Sequence, residues 1–217
     1  MEYILFDLDG TLTDPKDGIT RCVDYALRYF GIETADLDTL TNFIGPPLID
    51  SFMEFYGFDE GKAKLAVEKY RERFSAVGVF ENRVYPGIPS MLKRLTNAGK
   101  TLALATSKPW IFAQRILDKY ALAPYFTVVV GSELDGRRNA KAEVITEALA
   151  QLKIDENDKS RCIMVGDRRH DILGAKANGL CSLGVRIGYA EDGELEAAGA
   201  TYIAADVAEM ETLLLSL

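Results

Sequence analysis

Six short apolar segments, each ending at a small or polar residue, recur along the chain and constrain its fold more than any other feature. They are YILF (3–6), TLALA (101–105), FTVVV (126–130), CIMV (162–165), LGVRI (183–187) and TYIA (201–204). Apolar runs of this length, without regular polar alternation, are typical of parallel strands that are buried on both faces. Each segment is therefore predicted to be a strand of one parallel sheet.

Helical apolar spacing fills the intervals between these strands. The helical segments are IPSMLKRLTNAG (88–99), PWIFAQRILDKYAL (109–122), KAEVITEALAQL (141–152) and two shorter ones, at 171–178 and from 206 onward. Alternation of strands and helices predicts an α/β protein with a doubly wound, mainly parallel sheet and a Rossmann-like core. Ligands of such sheets bind beyond the carboxyl ends of the strands, so functional residues are expected at that edge.

One long interval interrupts the alternation. Residues 15–84 contain no convincing strand, whereas DGITRCVDYALRYFG, PPLIDSFMEFYG and EGKAKLAVEKYRERFSAVG have helical patterns. We therefore expect two domains. An α/β catalytic core domain is predicted for residues 1–14 and 85–217, and a helical cap domain for the inserted residues 15–84.

Composition limits the class of partner. The chain has 25 Lys plus Arg against 33 Asp plus Glu, a net charge of −8. This balance disfavours a nucleic acid polymer, since that affinity comes largely from basic surface. The three cysteines, Cys22, Cys162 and Cys181, form no disulfide framework, and no apolar run reaches the roughly 18 residues of a membrane span. We expect a cytoplasmic monomer or homodimer that contacts no membrane and binds a small molecule.

Polar side chains follow several of the predicted strands or begin the next helix. They are Asp7 and Asp9 in FDLDGTLTD, Thr106 and Ser107 in TSK, Lys141 in GRRNAK, and Asp167 and Asp171 in GDRRHD. Parallel strands would bring all of these groups to one edge of the sheet. Acids gathered there repel one another unless a cation is present, and an all-oxygen site with few carboxylates suits Mg²⁺.

These residue types together indicate chemistry on a phosphate group. Lys141, the Thr106 hydroxyl and loop N–H groups can grip a phosphate between the metal and the protein. Asp7, held by metal and lysine, is a candidate nucleophile that forms an aspartyl-phosphate. Asp9 is not needed as a side-chain metal ligand and is a candidate general acid and base. We expect a turn at Gly10 to bring both acids to the same phosphorus atom.

The ordered motifs DLDGT, TS, a single lysine and GDxxxD resemble those of the haloacid dehalogenase superfamily over nearly the whole chain. The position of the helical insertion is similar to the branch whose cap follows the first motif. FIGPPL (43–48), TSKP (106–109) and MVGDRRHDILGAKANG (164–179) look like its phosphoglycolate-phosphatase-like members. The resemblance implies a Mg²⁺-dependent phosphatase that hydrolyses a small phosphorylated metabolite such as 2-phosphoglycolate through an aspartyl-phosphate.

The resemblance also implies a role for each residue of the site. Asp7 is then the nucleophile and a metal ligand, and Asp9 is the general acid and base, with its carbonyl on Mg²⁺. The other implied roles are phosphate binding by Thr106, charge stabilisation by Lys141, and metal binding or support by Asp167 and Asp171. The implied substrate-binding residues are Gly10, Ser107 and three residues of a cap loop that leans over the site, Gly45, Pro47 and Leu48.

Several alternatives share parts of this pattern. A nucleoside 5′-monophosphate is the nearest other substrate class, and a sugar phosphomutase is disfavoured because similar mutases carry a cap histidine where this chain has Ile19. A signalling receiver module has similar strand-end residues but no helical cap.

Single residues of the site also have competing structural interpretations. Asp171 can be an acid at the N-terminus of a helix, and Lys141 can join Lys108 on a solvated basic face. His170 is expected to be a local hydrogen-bonding residue.

Overall fold

The computed structural model describes residues 1–217 and contains eight strands. The strands are β1 (Tyr3–Phe6), β2 (Thr13–Asp14), β3 (Arg83–Val84), β4 (Thr101–Pro109), β5 (Val128–Ser132), β6 (Cys162–Gly166), β7 (Cys181–Val185) and β8 (Tyr202–Ala204). Six of them form one sheet in the order β5-β4-β1-β6-β7-β8. Every neighbouring pair in that sheet is parallel, and β2 pairs with β3 in a separate two-stranded sheet.

Nine α-helices connect the strands. They are α1 (Lys16–Tyr29), α2 (Leu48–Tyr56), α3 (Glu60–Phe74), α4 (Ile88–Asn97), α5 (Trp110–Lys119), α6 (Lys141–Gln151), α7 (Arg169–Ala177), α8 (Glu194–Ala198) and α9 (Val207–Ser216). The parallel sheet with its connecting helices confirms the predicted α/β, Rossmann-like fold. None of these helices is long and apolar enough to span a membrane, and none of the three cysteines forms a disulfide.

The chain divides into two compact units. The core unit comprises Met1–Asp14 and Val84–Leu217, and the helical unit comprises Pro15–Arg83. The helical unit contains α1, α2, α3 and a 3-10 helix at Leu37–Phe43. Its interior includes the ring of Phe52, which lies edge-on to Phe43 and is stacked on Phe58. That the helical unit acts as a cap stays a prediction.

The apolar segments form the interior of the core unit because, as predicted, they are strands buried on both faces of the sheet. Ile4, Leu5 and Phe6 of β1 have no exposed surface, as expected of a central strand covered on both faces. Leu5 packs in one cluster with Met164 of β6 and with residues of α6 and α7. The sheet therefore provides a rigid base for the polar residues at its carboxyl edge.

The observed boundaries differ from the predicted ones at several elements. The strand predicted for FTVVV begins at Val128, two residues after its predicted start, because a short 3-10 helix precedes it at Ala123–Tyr125. Pro109 precedes α5 instead of opening it. The strands β2 and β3 were not predicted, since two residues are too few to show a periodic pattern. The helix α8 was also missed, because only five residues lie between two turn glycines.

Candidate active site

The two acids of the first motif are placed by a tight turn at the end of β1. The Asp7 N–H bonds to the Val165 carbonyl at 2.9 Å, which continues the sheet pairing through the nucleophile candidate. Gly10 then adopts φ +80°, and its N–H bonds to the Thr13 carbonyl at 2.8 Å. Such a left-handed conformation favours glycine. The turn leaves Asp7 and Asp9 only 4% and 7% exposed.

Lys141 joins two of the acids. It is the first residue of α6, and its Nζ lies 2.9 Å from Asp7 Oδ1 and 2.8 Å from Asp171 Oδ1. The ammonium also donates to the Ala105 carbonyl at 3.1 Å. Burial opposes the charged form, but the two carboxylates outweigh it and raise the pKa of Lys141 above its ordinary value. Lys141 is therefore a buried, permanently charged group and not part of a solvated basic face.

Asp167 follows β6 and is fixed through both carboxylate oxygens. The Thr11 hydroxyl donates to Oδ1 at 3.1 Å, and the Tyr189 N–H donates to Oδ2 at 2.8 Å. A Cβ at Gly10 or at Gly188 would lie 2.2 Å from Oδ2, so neither position has room for a side chain. These contacts hold Asp167 in one orientation, with no exposed surface.

Asp171 has both a structural and an electrostatic role. It lies in the first turn of α7, where its Oδ2 accepts a hydrogen bond of 3.1 Å from the Arg168 N–H. Its other oxygen faces Lys141, as described above. The helix-capping alternative is thus correct, and it is compatible with a place in the acid cluster.

Asp7, Asp167 and Asp171 form a group that fits a hard divalent cation. One oxygen from each lies within 4.8 Å of the other two. Oxygens on an octahedral Mg²⁺ stand about 3 Å apart when adjacent and about 4.2 Å when opposite, which is close to this spacing.

Burial, with repulsion from Asp7, raises the pKa of Asp171 to about 6 although Lys141 opposes the shift. Burial and the other two acids raise the pKa of Asp167 well above its ordinary value. A cation would replace protons that the cluster otherwise retains.

The TSK segment lies near the carboxyl end of β4, which ends at Pro109. Thr106 is 1% exposed, and its Oγ1 accepts a hydrogen bond of 3.3 Å from the Lys108 N–H. Ser107 is half-buried, and its carbonyl accepts from the Ser132 hydroxyl at 2.7 Å. The competing interpretation of Lys141 placed it with Lys108 on a solvated face, but the Lys108 side chain is nearly buried and its Nζ contacts Asp9 Oδ2. Burial raises the pKa of Asp9, although Lys108 acts against this shift.

Some predicted residues are outside this group, and some contacts were not predicted. Gly45, Pro47 and Leu48 belong to the helical unit, where Leu48 begins α2, so their substrate-binding role stays a prediction. The Nδ1 atom of His170 is buried without a hydrogen-bond partner, so the hydrogen-bonding role expected of this residue does not use that atom and stays a prediction. Thr11 and Tyr189 were not predicted as residues of the site. Thr11 was present in the DGT motif, whereas a backbone donor such as Tyr189 N–H leaves no signal in the sequence.

The sheet and its edge define the class of protein. A parallel α/β sheet that carries buried acids, a threonine and a lysine at its carboxyl edge, together with an inserted helical unit, fits an enzyme that forms an aspartyl-phosphate on a strand-end aspartate. The chain belongs to the haloacid dehalogenase-like hydrolase family, whose model matches residues 4–185.

Individual relatives agree with this assignment. A 5′-nucleotidase from Pseudomonas aeruginosa is 48% identical over 211 residues, covering 97% of this chain and 94% of that protein. A phosphoglycolate phosphatase from Agrobacterium fabrum is 31% identical over 192 residues, covering 86% and 81%. The crystal structure of a predicted phosphatase from Clostridium acetobutylicum superposes with a TM-score of 0.96 at 48% identity, covering 100% and 99%. These matches confirm the predicted family and the predicted phosphatase class.

Proposed function

We propose that the protein is a Mg²⁺-dependent phosphatase that hydrolyses a small phosphate monoester through an aspartyl-phosphate on Asp7. The observation that carries the proposal is the buried group of Asp7, Asp167 and Asp171, with the Lys141 ammonium against Asp7. The proposal assigns a nucleophile, a cation site and a fixed positive charge to one place at the carboxyl edge of the sheet. Phosphoryl transfer needs these components, since positioning and charge stabilisation supply most of its catalysis.

The metal site and the phosphate site are separate parts of this proposal. Asp7, Asp167, Asp171 and the Asp9 carbonyl would hold Mg²⁺, which would supply positive charge next to the phosphate oxygens. The Thr106 hydroxyl donates to one phosphate oxygen. Lys141 stabilises the charge that develops on the transferring group.

The chemical steps follow from the two acids of the first motif. A carboxylate oxygen of Asp7 attacks phosphorus, the bond from phosphorus to the ester oxygen breaks, and the departing oxygen takes the proton from Asp9. The burial that raises the pKa of Asp9 favours the protonated form that this step requires. A water molecule then gives a proton to Asp9 and attacks the phosphorus, and the bond from phosphorus to the Asp7 oxygen breaks. Inorganic phosphate leaves and the Asp7 carboxylate is restored.

Two substrate classes are candidates. The motifs in TSKP and GDRRHD are similar to those of phosphoglycolate phosphatases, and one relative with that name is 31% identical. The relative named 5′-nucleotidase is 48% identical over almost the whole chain. We infer from this difference that a nucleoside 5′-monophosphate is the better candidate, with 2-phosphoglycolate second.

Phosphate release from a substrate panel tests this assignment. With Mg²⁺ present, we expect kcat/KM for at least one nucleoside 5′-monophosphate to exceed that for 2-phosphoglycolate by about tenfold or more, a difference that substrate contacts can supply. The Leu48→Ala variant should change this ratio, while hydrolysis of 4-nitrophenyl phosphate changes much less. Met53→Ala, on an exposed position of α2, is the matched control. Preference for 2-phosphoglycolate would reverse the substrate assignment, and an unchanged ratio in Leu48→Ala would place specificity elsewhere.

Stabilisation by Mg²⁺ should depend on pH. Because Asp171 has a pKa of about 6 instead of its ordinary value near 4, the folded metal-free protein binds more protons than the unfolded chain between these values. Its stability therefore falls as pH rises through that window, whereas Mg²⁺ binds more tightly as the competing protons leave. Thermal melting should show a larger upward shift with Mg²⁺ at pH 8 than at pH 5.

The matched variants of this experiment separate the cluster from general charge effects. Asp167→Asn should remove the Mg²⁺-induced shift at both pH values. Asp192→Asn, which changes an exposed acid in a loop of the core unit, should retain it. An equal shift at both pH values, or one that survives in Asp167→Asn, would contradict a metal site at these carboxylates.

A further inference from the structure

Lys108 is a buried cation to which the proposed mechanism assigns no role. Its side chain is 6% exposed, and its Nζ contacts Oδ2 of Asp9, whose side chain is 10% exposed. The two residues lie 99 positions apart in the sequence and meet because β4 is paired with β1. A charge is rarely buried this completely unless it has a specific partner. Here that partner is the proposed general acid and base.

The backbone around Lys108 is held in place from β5. A Cβ at Gly131 would lie 2.4 Å from the Lys108 carbonyl oxygen, so the two backbones approach too closely for any side chain there. The neighbouring Ser132 hydroxyl donates to the Ser107 carbonyl at 2.7 Å. The Lys108 N–H is also bonded to Thr106 Oγ1 at 3.3 Å. Lys108 is therefore anchored by the protein itself and does not depend on a substrate for its position.

The two carboxylate oxygens of Asp9 have different surroundings. Oδ2 is engaged by Lys108, whereas Oδ1 is buried and has no hydrogen-bond partner. A buried oxygen without a partner is costly, and such atoms in native proteins call for a functional explanation. Lys141 does not serve Asp9 in the same way, because its ammonium is occupied by Asp7, Asp171 and the Ala105 carbonyl.

We propose that Lys108 is the positioning residue of the general acid and base: it holds Asp9 by Oδ2, so that Oδ1 alone exchanges the proton with the leaving oxygen and then with water. This inference rests on the function proposed above. It predicts that loss of Lys108 impairs proton transfer and leaves the nucleophile and the metal carboxylates intact. The effect should consequently depend on how strongly the leaving group needs a proton.

Two esters measure that dependence. 4-Nitrophenyl phosphate releases a stable anion without protonation, whereas an alkyl phosphate requires the proton from Asp9. In Lys108→Met, which keeps most of the length of the side chain but not its charge, we expect kcat/KM to fall about 100-fold for the alkyl ester and less than about tenfold for the aryl ester. Lys108→Arg should recover part of the loss. The control Lys93→Met, at an exposed position of α4, should alter neither value.

A double-mutant cycle separates positioning from general structural damage. If Lys108 acts through Asp9, adding Lys108→Met to Asp9→Asn should lower kcat/KM by less than about threefold. Equal losses on the two esters, or losses that add fully in the double variant, would overturn the inference. The ratio of the two esters is measured within one sample, so partial unfolding of a variant does not change it. Failure of the wild-type protein to hydrolyse either ester would instead contradict the proposed function.

Discussion

Asp7→Asn is expected to lower kcat by about a thousandfold or more, because an amide cannot replace the carboxylate as the nucleophile. The substitution keeps the size of the side chain, so the turn at Gly10 and the packing of β1 should be preserved. It also removes a negative charge that helps to raise the pKa of Asp167 and of Asp171. We therefore expect the melting temperature of the metal-free variant to equal or exceed that of the wild type.

Two measurements check this result. Steady-state phosphate release gives the loss of turnover, and thermal melting followed by circular dichroism shows whether the fold survives. Asp192→Asn makes the same chemical change at an exposed position and should keep wild-type turnover. Residual turnover above about one thousandth of wild type in Asp7→Asn would argue against covalent catalysis by this residue.

Asp9→Asn should slow both chemical steps, because one carboxyl group gives a proton in the first and takes one in the second. Loss of a general acid and base typically costs about 100-fold to 10,000-fold in rate. With 4-nitrophenyl phosphate the first step needs the acid least, so the second step should become limiting. We expect a rapid burst of 4-nitrophenol, approaching one per active site, followed by slow turnover.

Stopped-flow absorbance measures the burst, and rapid acid quenching detects phosphate bound covalently to the protein. The same burst should be absent from Asp7→Asn, which has no nucleophile to be phosphorylated. Unchanged steady-state rates in Asp9→Asn would remove this residue from the mechanism.

The sequence was sufficient to predict the sheet and most of the acid cluster. Buried parallel strands such as YILF and CIMV are short apolar runs, and parallel pairing brings the residues after them to one edge. The gathering of Asp7, Asp167 and Asp171 thus follows from topology. Lys141 was more ambiguous, since only the structure shows that α6 directs its ammonium between two carboxylates.

Other features depend on tertiary contacts that no local pattern records. Lys108 has basic neighbours in the sequence, and its burial against Asp9 depends on the pairing of β4 with β1. The bond from the Tyr189 N–H to Asp167 comes from the backbone, so the identity of residue 189 does not indicate it. The start of β5 was misplaced because Phe126 and Thr127 suit a strand as well as Val128 does. The role of the loop at Gly45, Pro47 and Leu48 is still a prediction.

The buried charges at the edge of the sheet are unequal in number. Four carboxylates, those of Asp7, Asp9, Asp167 and Asp171, are accompanied by the ammonium groups of Lys108 and Lys141. When all are ionised, the excess is two negative charges, which a single divalent cation balances. A phosphate ester with two negative charges would meet repulsion before that balance is reached and attraction to the cation afterwards. We expect from this inequality that, in the proposed reaction, the cation enters first and the ester second, and that the ester then helps to retain the cation until inorganic phosphate departs.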